Sequence, residues 1–433
     1  MLPIESIPKS ILFVHYHYPP LKNSGIYKNY FLSVTLAKLL DKVFVITTDN
    51  AKILPTESLH FPKNLELFQS YTFDYRSIIA YFDMWSHNKS SSAYTEQNKK
   101  SAVTRLLIKM QRSFPFNFFF AEGSVFYIIH GYIIGKKIIK KNQVKVVYSS
   151  FMPYNDHVIA YLLKMRFPEL LWVADFRDLH IEPIYKNTIW LPLQKWFEKK
   201  ILKKANFVTA ISNGIQEKLK DYHSQTHTIS KGVDHRSTEI PYDIFTIAYV
   251  GSMFGDFRDP SLFFEAYKLL ISSHNLSTDA IRVVYAGKDG STFLRWAMKY
   301  QVESYVVDQG LLHRGKAIEI QSKSHINLLL TSSSDDHSGV FTGKLFEYIE
   351  SQNPILCLVN GTKDDEFETL FNRYRLGRIF YSKDDVETIK SFIEKEYLFW
   401  INNQKIDRTI LWDDVMKEMS WDMQAKKLLS LIK

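Results

Sequence analysis

Short apolar runs rich in β-branched and aromatic residues alternate along this chain with longer stretches of helical spacing. In the first half the runs fall at residues 11–16, 43–47, 144–149, 171–175 and 207–211. In the second they fall at 247–251, 281–287, 305–307, 326–330 and 355–359. Runs that are apolar at successive positions, not only at alternate ones, read as parallel strands covered on both faces of their sheet. The segments between them carry stripes of period 3.6, such as Leu262, Phe263, Ala266, Tyr267 and Leu270. This βαβ order occurs twice and predicts an α/β chain of two doubly wound, Rossmann-like domains. Residues 234–243 have no period and hold turn formers, so the boundary is expected there, with domains at 1–234 and 244–410. The polar stretch 89–100 reads as a surface loop.

Length agrees, since 433 residues exceed one ordinary domain. Charged residues at 23% and hydrophobic ones at 45% exclude a disordered chain. The single cysteine, Cys357, lies in an apolar run; it cannot form an internal disulfide and suits a reducing, cytoplasmic compartment. No signal peptide is expected at the N-terminus. The best candidate for a membrane span, residues 118–135, is broken by Glu122, His130 and three glycines, and a carboxylate near mid-bilayer costs about 2.5–3.5 kcal/mol. The net charge of +9 fits nucleic acid, anionic lipid or a phosphorylated substrate.

In open α/β sheets, ligands meet the loops at the carboxyl ends of strands. After the first run comes Ser24-Gly25 and then a helical stretch, where a glycine opening a helix offers N–H groups to a phosphate or leaves a plain turn. No GxGxxG is present, which argues against a standard dinucleotide enzyme. After 171–175 come Arg177 and Asp178; Asp175, Arg177 and Asp178 fit either a polar site or an internal ion pair that fixes the loop. His157 follows the 144–149 run. In the second half, Gly251 and Gly255 permit close backbone approach, and Arg258 can meet a diphosphate bidentately. Gly287 ends the next run and can lie under a base. The richest segment is Thr342-Gly343-Lys344-Leu345-Phe346-Glu347. Its start reads as a helix N-terminus whose N–H groups and Lys344 bind phosphate. Glu347 shares the face of Lys344 at i, i+3 and can accept from ribose hydroxyls, or else the two make a solvated surface pair.

These landmarks, in this order, resemble the bacterial family 4 glycosyltransferases of surface polysaccharide biosynthesis over nearly the whole chain. They are Ile11–Val14 with Tyr18-Pro19-Pro20, Ala174 to Asp178, Ala210-Ile211-Ser212 with Lys231-Gly232-Val233-Asp234, Tyr249 to Ser252, and Gly343 to Tyr348. The resemblance implies a GT-B fold with the two domains facing across a cleft. It also implies a UDP- or GDP-linked sugar donor as co-substrate, a glycan or polyprenyl-linked acceptor, retention of configuration and no catalytic metal. Transfer of the hexosyl or N-acetylhexosaminyl type is expected. Glu347 matches the second glutamate of the family's pair. The first falls at Gly339 and is missing, with Asp335 or Asp336 as substitutes. The family histidine falls at Ser149 or Ser150. Asp178 and His157 are assigned to orienting acceptor or donor sugar; Gly25, Gly251, Ser252, Arg258, Gly287, Thr342, Gly343, Lys344 and Glu347 to the donor. The resemblance further implies a C-terminal helix, 411–433, that crosses back to the first domain.

Two other readings compete. A nucleotide-sugar 2-epimerase shares the fold class but needs more carboxylates and histidines. A basic nucleic-acid-binding protein would use the charge, yet no nucleic-acid motif appears. Aromatic residues beside lysines at 114–141 and 190–204 suggest that the first domain docks peripherally on an anionic membrane, the inner face of the plasma membrane; the alternative is core aromatics with a solvated lysine face.

Overall fold

The computed structural model describes residues 8–21, 25–49, 59–72, 113–116, 119, 123–181, 190–253, 258–334, 341, 343–382 and 384–433. The loop expected at 89–100 lies outside them, as do Thr342, Gly255, Gly339, Asp335 and Asp336. The chain divides into two compact units, one of Met1–Gly232 with Trp421–Lys433 and one of Val233–Ser420.

The first unit runs β1 (Ser10–Val14), α1 (Ile26–Ala37), β2 (Lys42–Thr48), β3 (Leu65–Ser70), α2 (Ser124–Asn142), β4 (Val146–Phe151), α3 (Asn155–Arg166), β5 (Leu171–Phe176), α4 (Leu191–Leu202), β6 (Phe207–Ala210), α5 (Asn213–Leu219) and β7 (Thr226–Thr228). Its parallel sheet has the order β3-β2-β1-β4-β5-β6-β7. The second runs β8 (Phe245–Val250), α6 (Ser261–His274), β9 (Ile281–Ala286), α7 (Gly290–Lys299), β10 (Val306–Asp308), α8 (Arg314–Lys323), β11 (Ile326–Ser333), α9 (Gly343–Ser351), β12 (Ile355–Gly361), α10 (Asp365–Tyr374), β13 (Gly377–Tyr381), α11 (Val386–Asn403) and α12 (Trp412–Met419). Its parallel sheet is β10-β9-β8-β11-β12-β13. Central strands are buried throughout, β4 and β8 at every residue, as apolar runs under two helix layers must be.

The last helix, α13 (Trp421–Leu431), completes the first unit. Trp421 stacks on Phe31 of α1 at 5.5 Å. With Ala425, Leu428, Leu429 and Ile432 it closes the core made by Ile11, Phe13, Val43 and Val45. The segment that joins the first unit therefore starts at Trp421 and not at residue 411, because Val415 and Met419 of α12 sit in the core of the second unit.

On the other face of the same sheet, α2 packs against α3. A Cβ on Gly131 or Gly135 would strike Ile159 or Leu163 of α3, so these two glycines, one turn apart, set how closely the helices approach. That is the work of glycines in the stretch weighed as a membrane span, and no described helix is long and apolar enough to cross one. Cys357 is buried in β12, where burial pushes its thiol pKa up.

Candidate functional site

In the second unit, the loops after β8, β9 and β10 and the starts of α8 and α9 converge. β8 ends at Val250, and the next residue turns at Gly251 with φ +136°, a conformation that favours glycine. A Cβ there would land on Cε and Nζ of Lys344. The sequence thus keeps position 251 bare and lets the lysine of α9 lie across it.

Helix α9 is fixed by its own apolar face. Leu345, Phe346, Tyr348 and Ile349 are buried, and the Tyr348 hydroxyl donates to Leu328 O at 3.1 Å while accepting from Val250 N at 3.4 Å. The opposite side carries Lys344 and Glu347. Lys344 Nζ stands 4.6 Å from the centroid of the Tyr249 ring and 3.5 Å from its hydroxyl, a cation–π contact. Among the described residues it has no ion-pair partner within 4.0 Å. Burial, then the charge of Arg258, lower its pKa to about 7, against the pull of Glu347 and Asp289. An ammonium held this way gains from any anion that enters.

Around it the loops are tied by main-chain contacts. Arg258 Nη1 donates to Ser252 O at 2.6 Å, and the Tyr249 hydroxyl donates to the same oxygen at 2.7 Å. The Tyr285 hydroxyl donates to Gly251 O at 3.0 Å and accepts from Asp289 N at 3.0 Å. Asp289 Oδ2 takes Met253 N at 2.9 Å. Gly287 follows β9 and its N–H donates to Gly310 O at 2.8 Å. Glu347 is partly buried. Its Oε1 meets Arg314 Nη2 at 3.3 Å and its Oε2 meets Gln321 Nε2 at 3.4 Å. The carboxylate is thereby oriented, with two of its roughly four acceptor positions left over. Gly343 starts α9 in an exposed position, so the positive end of the helix dipole lies beside Lys344.

Gly251, Ser252, Arg258, Lys344 and Glu347 thus sit in one neighbourhood, bordered by Gly287 and Gly343. Tyr249, Tyr285, Asp289 and Arg314 belong to it too and were not singled out from the sequence. Asp289 stands three residues beyond β9, where the strand-end rule points; Arg314 opens α8 directly after its N-cap, His313. The tyrosines also make contacts with distant segments, Tyr285 with Gly251 and Tyr249 with Lys344, which leave no local signal.

The first unit distributes its candidates differently. Asp175 is fully buried. Its Oδ1 pairs with Lys28 Nζ at 2.8 Å and accepts from Thr209 Oγ1 at 2.8 Å, and its Oδ2 accepts from Ser150 Oγ at 2.9 Å. Arg177 donates to the carbonyls of Phe151 at 3.0 Å and Met152 at 3.3 Å and to that of Gly25. The arginine thus clasps the loops after β4 and before α1, and Asp175 forms its ion pair with Lys28. Asp178 is exposed. His157 is at 0% exposure; its Nδ1 bonds Ser149 Oγ at 2.8 Å, and burial lowers its pKa to about 3. It is a neutral core residue holding Ser149. Its shielding comes from Tyr154, Trp172 and Phe176.

No protein-family model matches the sequence, and no curated protein matches it. Among solved structures, a glycosyltransferase from Rickettsia africae is similar with a TM-score of 0.58 and 13% identity, covering 98% of both chains. Sucrose-phosphate synthase from Thermosynechococcus elongatus gives 0.59 and 12%, again over 98% of both. WaaG, a glycosyltransferase involved in lipopolysaccharide biosynthesis, gives 0.54 and 13% over 98% of this chain and 99% of its own. At these identities the likeness is one of fold, and with its two parallel Rossmann-like sheets the chain has the GT-B architecture.

Proposed function

We propose that this chain is a glycosyltransferase whose nucleotide-sugar donor binds on the second unit. One observation carries the reading. Lys344, bare of an ion-pair partner among the described residues, lies beside Arg258 and the start of α9, on a glycine that leaves room for it. Two cations and a helix N-terminus at strand ends form a receptor for a diphosphate. Glu347, oriented by Arg314 and Gln321, sits one turn along to accept from the ribose.

In the proposed reaction, the bond between the sugar and the diphosphate breaks as an acceptor hydroxyl attacks on the same face. The hydroxyl proton passes to the departing phosphate oxygen, and configuration is retained. Lys344, Arg258 and the first N–H groups of α9 neutralise the leaving group, so the reaction runs without a divalent ion. Asp178, exposed after β5, is the candidate for orienting the acceptor, a glycan or lipid-linked saccharide of surface polysaccharide synthesis. The donor is UDP- or GDP-linked, the sugar of hexosyl or N-acetylhexosaminyl type and the compartment the cytoplasm. The test is turnover with a panel of nucleotide sugars, read as release of the nucleoside diphosphate, in EDTA and in Mg²⁺. Release that Lys344→Ala abolishes, and that EDTA leaves intact, supports the reading. No release with any donor, or release that depends on Mg²⁺, counts against it.

A further inference from the structure

At the start of the second unit the chain runs against the end of helix α9. Val233 N donates to Met419 O at 2.9 Å, Asp234 N to Glu350 Oε1 at 3.1 Å and Ser237 N to Glu350 O at 2.7 Å. Residues 233–237 are thus tied at both ends, and every group involved belongs to the second unit. The ties bring together Asp234, His235 and Glu350, with one nitrogen or oxygen of each lying within 4.8 Å of the other two. His235 Nδ1 stands 2.6 Å from Asp234 Oδ1 and 3.9 Å from Glu350 Oε1. Asp234 and His235 are exposed and Glu350 is partly buried, so the cluster is held by main-chain bonds yet open to ions from solvent.

The local charge favours a cation. Glu350 is the last but one residue of α9, where the helix dipole is negative, and Asp234 brings a second carboxylate to the same place. His235 registers that field. Partial burial works against its charged form, but the hydrogen bond to Asp234 and the charges of Glu350 and Asp234 outweigh burial and the opposing charge of Arg314, and its pKa is raised. The donor atoms are one imidazole nitrogen and two carboxylate oxygens. That set suits zinc and similar first-row ions, whereas calcium and magnesium seek shells made of oxygen. The separations of 2.6 and 3.9 Å bracket about 3.4 Å, the edge of a tetrahedron drawn on zinc–ligand bonds of about 2.1 Å. We propose that Asp234, His235 and Glu350 form a site for a divalent transition-metal ion of the zinc type, with water completing its shell. Binding replaces the proton on His235 Nδ1 by the metal and releases that proton to solvent. The bound ion pins residues 233–237 to α9, one turn beyond Glu347 on the same helix. None of the three ligands is among the groups proposed to hold the donor, so the inference stands without the proposed transferase activity.

The experiment is calorimetric titration of zinc chloride into the full chain after EDTA treatment and desalting, repeated with magnesium chloride and calcium chloride. No nucleotide or sugar is added, so the outcome is independent of catalysis. The native chain is expected to bind one zinc ion that His235→Ala does not bind, and magnesium and calcium at least about a hundredfold more weakly. Glu350→Gln keeps an acceptor for Asp234 N but removes the charge, and should weaken zinc binding at least about tenfold. Zinc affinity should also fall by up to about tenfold per unit as pH drops below the His235 pKa, because protons compete for the nitrogen. Zinc should raise the melting temperature of the native chain and leave that of His235→Ala unchanged. Without metal the two variants should melt as the native chain does, since His235 is exposed and glutamine preserves the main-chain tie. Zinc binding that neither substitution changes overturns the proposal. So does a native chain that binds no more zinc than His235→Ala, and so does magnesium or calcium binding as tight as that of zinc.

Discussion

Lys344 Nζ lies 4.6 Å from the centre of the Tyr249 ring, so the cation of α9 is held by the aromatic residue next to the end of β8 rather than by a carboxylate. The arrangement is stable without an anion and improved by one.

That relationship sets a pH dependence. The Lys344 ammonium has its pKa at about 7 against an ordinary 10.5. Between those values the unfolded chain holds a proton that the folded chain lacks, so this group's contribution to stability rises as pH rises through the window and is flat below it. A bound diphosphate pulls the proton back. Affinity should therefore fall above pH 7, by up to about tenfold per unit, and calorimetry in buffers of different ionisation enthalpy at pH 8 should register proton uptake on binding. Lys344→Arg, which cannot deprotonate at these pH values, should lose the uptake. Equal uptake in both proteins would assign the proton elsewhere.

Gly251→Ala should damage the site twice, through the φ of +136° and through collision with the Lys344 side chain. The backbone cost is about 1–3 kcal/mol, and nucleoside diphosphate affinity should drop at least about tenfold as the lysine is displaced. Because the steric part acts on the lysine, Gly251→Ala with Lys344→Ala should be less unstable than the sum of the single changes. Urea titrations of the four proteins measure this; simple additivity contradicts it.

Glu347→Ala should weaken nucleotide binding by about 1.5–3 kcal/mol, the range for a hydrogen bond to a charged group. Arg314→Ala should cost less, since it removes the residue that orients the carboxylate and keeps the acceptor itself. Calorimetry on both variants decides; a larger loss with Arg314→Ala would make the arginine the direct contact.

In the first unit, Lys28→Met should destabilise the fold by about 3–5 kcal/mol by leaving Asp175 buried and unpaired. Lys28→Met with Asp175→Asn should recover much of it. A melting temperature unchanged by the single substitution would mean the pair is dispensable.

Much of the fold was legible because central parallel strands are apolar at successive positions, as residues 247–250 and 355–359 are. The strands that went unseen, Leu65–Ser70, Thr226–Thr228 and Gly377–Tyr381, all lie at sheet edges. Half-solvated sequences such as Glu66 and Gln69 or Thr226-His227-Thr228 lack that signature. Lys344 and Glu347 were readable as an i, i+3 pair at a helix start. Their partners Tyr249 and Arg314 were not, because 95 and 33 residues of chain separate them. The burial of His157 was unreadable for a related reason: it depends on Trp172 and Phe176, which arrive from another strand.

The most direct test of the account is calorimetric titration of UDP, GDP and ADP into the full chain and into Lys344→Ala and Glu347→Ala. The account predicts that at least one nucleoside diphosphate binds the native protein and that both substitutions weaken that same ligand by tenfold or more (on the order of 1.4 kcal/mol). Binding that neither substitution changes, or no binding of any nucleotide, would contradict it.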